Sequence, residues 1–108
     1  MMLVVLLLAL AGPSPRTIDA PRKAYSACIK QFETKSITAK IEVAAYSAAI
    51  KTACPAEAAA FTNALVAYDV GMGTKRATAM SNAANDLADY MATSEERFEY
   101  AVTPAAPK

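Results

Sequence analysis

Histidine and tryptophan are absent from this chain of 108 residues, which has two cysteines and three glycines. Without histidine there is no Ser-His-Asp triad, and acid–base work would fall to carboxylates, lysine or tyrosine. Two cysteines without histidine fall short of the three or four soft ligands a zinc site needs. A C-x-x-C redox pair is absent as well. No apolar run reaches the ~20 residues that span a bilayer. The formal net charge of +1 provides no global attraction to nucleic acid or an acidic surface. "GMGTKR", Gly71 to Arg76, has neither the third glycine of a dinucleotide fingerprint nor the G-x-x-x-x-G-K-[ST] spacing of a P-loop. No strand-like alternation and no repeat of fixed period occurs. These gaps leave a protein with no cofactor, no metal site, no nucleic-acid partner and no catalytic motif as the expectation.

The chain opens with eleven unbroken apolar residues, "MMLVVLLLALA". That is the length of a secretory h-region, and Ala9 and Ala11 place small residues where a signal peptidase reads. No Lys or Arg precedes the run. Residues 1–11 are expected to be a signal peptide, which leaves a mature chain of 97 residues beginning at Gly12. Once cleaved, such a chain has no stable membrane anchor; a retained anchor is the alternative.

Cys28 and Cys54 lie behind this export signal. In an oxidising compartment, periplasmic or extracellular, such a pair forms a structural disulfide. Closing this loop stabilises a fold by ~3.5 kcal/mol on the chain-entropy account, a large share of what a small domain has.

Alanine is the commonest residue, 26 of 108. It favours helix and allows close helix approach, but buries little area per residue. Residues 12–19, "GPSPRTID", read as a flexible linker. Asp19 is then a cap for a helix opening at Ala20, with Pro21 in its first turn. Tyr25, Cys28, Ile29 and Phe32 form one apolar stripe. "ETKSITAK" breaks that pattern, and Thr38 becomes the expected N-cap of a second helix over 39–53. Ile41, Ala45 and Ala48 line one side of it, and Val43, Tyr46 and Ile50 a second. Cys54, Pro55 and Glu57 predict a sharp corner and a third helix, with proline where its missing N–H has no partner to lose. Ala58, Phe61, Leu65, Tyr68 and Met72 are its stripe. The glycines at 71 and 73 predict a break, with Thr74 capping a fourth helix that carries Met80, Ala83, Leu87, Tyr90, Met91 and Phe98. Residues 101–108 are expected to be a disordered tail. The fold class is therefore all-α: a three- to four-helix bundle with one intramolecular disulfide, a single domain over 20–100.

This reading contains a geometric tension. A hairpin turning at 34–38 sets Cys28 opposite about Ala44. Cys54 is then ~15 Å too far along, whereas bridged Cα atoms lie within ~7 Å. An extended connection or a steep helix crossing is required.

Candidate sites are few. Thr74, Lys75 and Arg76 could contact an anion at a helix N-terminus. Asp86 and Asp89 share one helix face, with Glu95, Glu96 and Glu99 beyond them. They could serve a cation or small ligand, although no EF-hand pattern is present. Were the helix from Pro55 continuous to Tyr100, Leu87, Tyr90 and Phe98 would form a homodimer seam. The charge is uneven: seven basic and three acidic residues from Arg16 to Lys51, four and seven from Thr52 to Lys108. The functional expectation is a small exported, non-enzymatic binding or structural module of the cell envelope, acting on a protein partner or on itself.

Overall fold

The computed structural model describes residues 15–104, and every regular element in that span is helical. The expected signal peptide at 1–11, residues 12–14 of the expected linker and residues 105–108 of the expected tail lie outside the described residues. Helix α1 spans Arg16–Thr38, α2 Val43–Ala49, a 3-10 turn Ile50–Thr52, α3 Pro55–Gly71 and α4 Arg76–Val102.

α1 starts four residues before the expected Ala20 and includes Pro21, so residues 16–19 are helix rather than linker. The added turn carries Ile18 into the core, where it is buried in line with Tyr25 and Ile29. Burying one such side chain contributes ~1.5–3 kcal/mol, which offsets the N–H that Pro21 cannot supply. At the other end, α1 runs straight through "ETKSIT". Thr38 is the last residue of α1 and not a cap for the next helix; its hydroxyl donates to the Thr34 carbonyl at 3.1 Å.

The end of α1 is a Schellman motif. Lys40 N–H donates to the Ile37 carbonyl at 3.1 Å, and Ile41 N–H to the Ser36 carbonyl at 3.2 Å. The motif needs a left-handed residue, and Lys40 takes that role at φ 57°. α3 ends in the same way around Gly73, at φ 99°. There Gly73 N–H donates to Val70 at 3.0 Å and Thr74 N–H to Asp69 at 2.9 Å.

The turn at 39–42 resolves the tension over the cysteines. The midpoint between positions 28 and 54 is 41, so a chain reversing there returns Cys54 to the level of Cys28. Their Cα atoms are 6.2 Å apart and the sulfurs are at disulfide distance. Phe32 and Tyr46, stacked at 5.4 Å between centroids, mark the same antiparallel register.

Aromatic contacts define the topology. Tyr25 meets Phe61, and Tyr46 and Phe61 meet Phe98 and Tyr90 respectively. The chain goes up through α1, down through α2 and α3, and up again through α4. The down limb is one path broken at Cys54–Pro55. Cys54 is the N-cap position and Pro55 the first helical residue, as expected, and Ala58 N–H donates to the Cys54 carbonyl at 2.8 Å.

The core runs along the axis between the limbs. Tyr25, Ile29, Tyr46, Ile50, Phe61, Leu65, Leu87 and Phe98 are buried in it. This short limb buries one side and not two: Tyr46 of α2 and Ile50 of the 3-10 turn point inward, while Val43, Ala45 and Ala48 are exposed. Met72 and Met80, expected on the inner stripes, are 64% and 53% exposed. Met72 is the C-cap of α3 and Met80 lies near the start of α4. The break between α3 and α4 falls at 72–75. Lys75, rather than Thr74, occupies the N-cap position of α4, with no side-chain capping bond.

Candidate functional site

α1 and α4 run parallel, because Tyr25 meets Tyr90 while Glu33, two turns later, meets Arg97. Of the three long helices this pair is the least closely packed. Three adjoining hollows of about 300, 350 and 420 Å³ lie along the seam, and Tyr90 lines all of them.

Helical spacing builds the two walls. Arg22, Ser26 and Lys30 recur every four residues on α1, so they stand in one row with Lys23 beside it. On α4, Asp86, Asp89 and Thr93 are spaced three and four apart and so share one face. Tyr90 forms the floor between them. Its ring is held edge-on by Tyr25 at 5.8 Å and 77°, and by Phe61 at 5.6 Å and 84°. Edge-to-face contacts of this kind fix a ring's tilt as well as its position. Arg22 reaches Asp19 at 3.4 Å, and its guanidinium carbon lies 5.8 Å from the Phe61 centroid. Asp86 and Asp89 form no ion pair within 4.0 Å with Arg22, Lys23 or Lys30.

A second polar feature is internal. Ser94, fully buried on α4, donates to Glu33 Oε1 at 2.7 Å. A serine has one proton to give, so the 2.6 Å contact between Tyr46 Oη and Ser94 Oγ has Tyr46 as donor. Arg97 closes the chain from outside, with Nε 3.1 Å and Nη2 3.0 Å from Glu33 Oε1. Every member is therefore satisfied. Burial pushes the Tyr46 phenol above its usual value, and burial also raises Tyr25. This network orders the bundle and presents no unpaired group to a substrate.

A third feature is a hollow of about 520 Å³ at the Lys40 end, lined mainly by Ile37, Ile41, Val43 and Val102. Val102 belongs to α4, which runs two residues past the expected domain end at 100.

The residues marked from the sequence fall in separate places. Cys28 and Cys54 meet at the corner. Thr74 is half-buried, while Lys75 and Arg76 are exposed at the start of α4. No second group joins them to make an anion site. Leu87 and Phe98 are covered by the chain's own helices, at 8% and 0% exposure. Of the expected seam, Leu87 and Phe98 are thus internal, because the turn at 72–75 folds α4 back against the other helices, while Tyr90 is half-buried and lines the groove. Among the described residues, no three acidic or cysteine side chains gather as a metal site.

The Glu33–Ser94–Tyr46 chain was not foreseen. One signal was present: Ser94 sits four residues from both Tyr90 and Phe98, a polar residue in an apolar row. Its partners come from positions 61 and 48 residues away, and only the packing brings them together. No protein-family model, curated protein or solved structure matches this chain.

Proposed function

We propose that this chain is an exported, non-enzymatic binding module of an oxidising compartment, periplasmic or extracellular. The observation that carries the reading is the cysteine pair, at disulfide distance where the down limb turns its corner. A bond there ties α1 to the start of α3 and suits a compartment that keeps thiols oxidised. The apolar leader at 1–11 provides the route out. Cleavage after Ala11 removes the longest apolar run, and no described helix is long and apolar enough to cross a membrane.

Binding is favoured over catalysis by how the polar groups are used. Buried Ser94 and Tyr46 are consumed in a chain with Glu33, which Arg97 holds from outside. The exposed ones, Asp86 and Asp89 among them, line an open groove with a fixed aromatic floor. This favours a small ligand as the bound species.

The test is the state of the exported protein. Alkylation without reductant should leave both cysteines unmodified, and the intact mass should match a chain beginning at Gly12. Two alkylated cysteines would remove the compartment argument. A retained leader would replace an exported module with an anchored one.

A further inference from the structure

We infer that the Gly73 end of the bundle rests on an anionic lipid surface. The inference goes beyond the binding-module reading: it uses a surface separate from the Tyr90 groove and sets the exported chain against a membrane.

Helix register brings distant parts of the sequence to that end. Tyr25 meets both Phe61 and Tyr90. Ten residues before Tyr25 is Pro15, where α1 begins; ten before Tyr90, on parallel α4, is Met80; ten after Phe61, on antiparallel α3, is Gly71. All helices rise alike per residue, so the start of α1 is level with the turn between α3 and α4. Val70, Met72 and Met80 flank that turn and are exposed by 41%, 64% and 53%. Methionine is flexible enough to follow a soft, uneven surface.

The charge there is one-sided. Arg16, Lys75 and Arg76 stand against Asp69, while Asp19 is paired with Arg22 one turn above. The Lys40 end also exposes large apolar side chains, Val43 and Tyr100. Its charges balance, however: Lys35 and Lys40 against Glu42 and Glu99. Apolar side chains among basic ones match an interface with anionic lipid, where burial and attraction act together.

The leader favours a lipid surface over a second copy as the occupant. Its eleven apolar residues join the bundle at this end through residues 12–15, a reach of at most about 14 Å. The Gly73 end therefore lies beside whatever bilayer the leader enters, and faces it when cleavage occurs. No described helix is long and apolar enough to cross a membrane, so the contact is peripheral.

The test mixes the exported, disulfide-intact protein with vesicles of equal parts phosphatidylglycerol and phosphatidylcholine that carry a spin-labelled lipid. Amide broadening is followed by NMR. Residues 70–80 should broaden first, at millimolar lipid. M72Q/M80Q should weaken binding about tenfold, because two apolar side chains no longer leave water. K75Q/R76Q should weaken it by about tenfold on these vesicles and not on phosphatidylcholine alone. K35Q/K40Q removes the same charge at the far end and should change binding about twofold at most. All six side chains are exposed, so each variant should keep the native helical signal. Broadening centred on 37–43, an equal loss in K35Q/K40Q, or no broadening at millimolar lipid would overturn the inference. So would a lipid-free dimer that M72Q/M80Q dissociates, since the face would then belong to a second copy. A chain that keeps its leader binds vesicles through it. In that case broadening at 70–80 that M72Q/M80Q removes supports the contact, and broadening that it leaves unchanged overturns it. The thiol state is read separately, so a failed vesicle experiment leaves the export reading standing.

Discussion

The two ends of the bundle are held by different means. Toward the Gly73 turn, Tyr25, Phe61 and Tyr90 meet edge-on or tilted, with no hydrogen-bonded side-chain network among them. The helices there are long, α3 having 17 residues and α4 having 27. Toward the Lys40 turn, Phe32, Tyr46 and Phe98 are stacked, Tyr46 on Phe98 at 4.0 Å and 4°. That stack ends in the Ser94–Glu33–Arg97 chain, and its down limb is the seven-residue α2. A helix so short has no stability of its own. The first end is held by helix length and dry packing. The second depends on one aromatic stack, one polar chain and the cysteine staple at its base.

The sharpest way to break this contrast is to remove one ring from each end. Phe98→Ala and Phe61→Ala should both destabilise by ~3–5 kcal/mol, since both rings are fully buried. Their local effects should differ. Hydrogen exchange should show α2 losing protection in Phe98→Ala while α3 keeps it, and equal loss at both ends would remove the distinction. Next in size is the staple. Cys28→Ser with Cys54→Ser should cost ~3.5 kcal/mol in chemical denaturation, with amides of 43–52 exchanging fastest.

The polar chain predicts an asymmetry. Ser94→Ala strands the Tyr46 donor and removes a donor from Glu33, a cost of ~1–3 kcal/mol. Tyr46→Phe removes an end of the chain and leaves Ser94 bonded to Glu33, so it should cost less. The reverse order in urea titrations would mean that Ser94 is not the link. The smallest effects belong to the two turns, which share one backbone motif with different residues in it. Gly73→Ala should destabilise by ~1–2 kcal/mol, because a Cβ there meets no neighbour and only φ opposes it. Lys40→Gly should stabilise by about 1 kcal/mol, since a left-handed side chain is relieved. Thermal melts of the two variants should shift in opposite directions.

Those same turns explain what could be read in advance. The break at Gly73 was legible because glycine marks a left-handed residue. The end of α1 at Lys40 was not, because lysine carries no such mark and "ETKSIT" looks like a breaker in isolation. Its β-branched residues have only mildly lower helix propensity, and the packing of half-buried Ile37 against the core outweighs it. The misplaced turn also created the apparent misfit of the cysteines. Their spacing alone, with its midpoint at position 41, pointed to the correct turn. Ile18 was passed over because Pro21 argued for a late helix start, a local preference that core burial overrides.

Local chemistry along the chain was sufficient for the helical class, the corner at Cys54–Pro55, the pairing of the only two cysteines and the break after Gly71. Each depends on a residue's own propensity or on a count that admits one solution. Three features depended on packing instead: the parallel placement of α1 against α4, the burial of Leu87 and Phe98 within one chain, and the groove around Tyr90. They are set by side chains tens of residues apart, whose contacts exist only after the limbs have reversed twice. Helical periodicity marks an apolar face, but it says nothing about which surface will cover it.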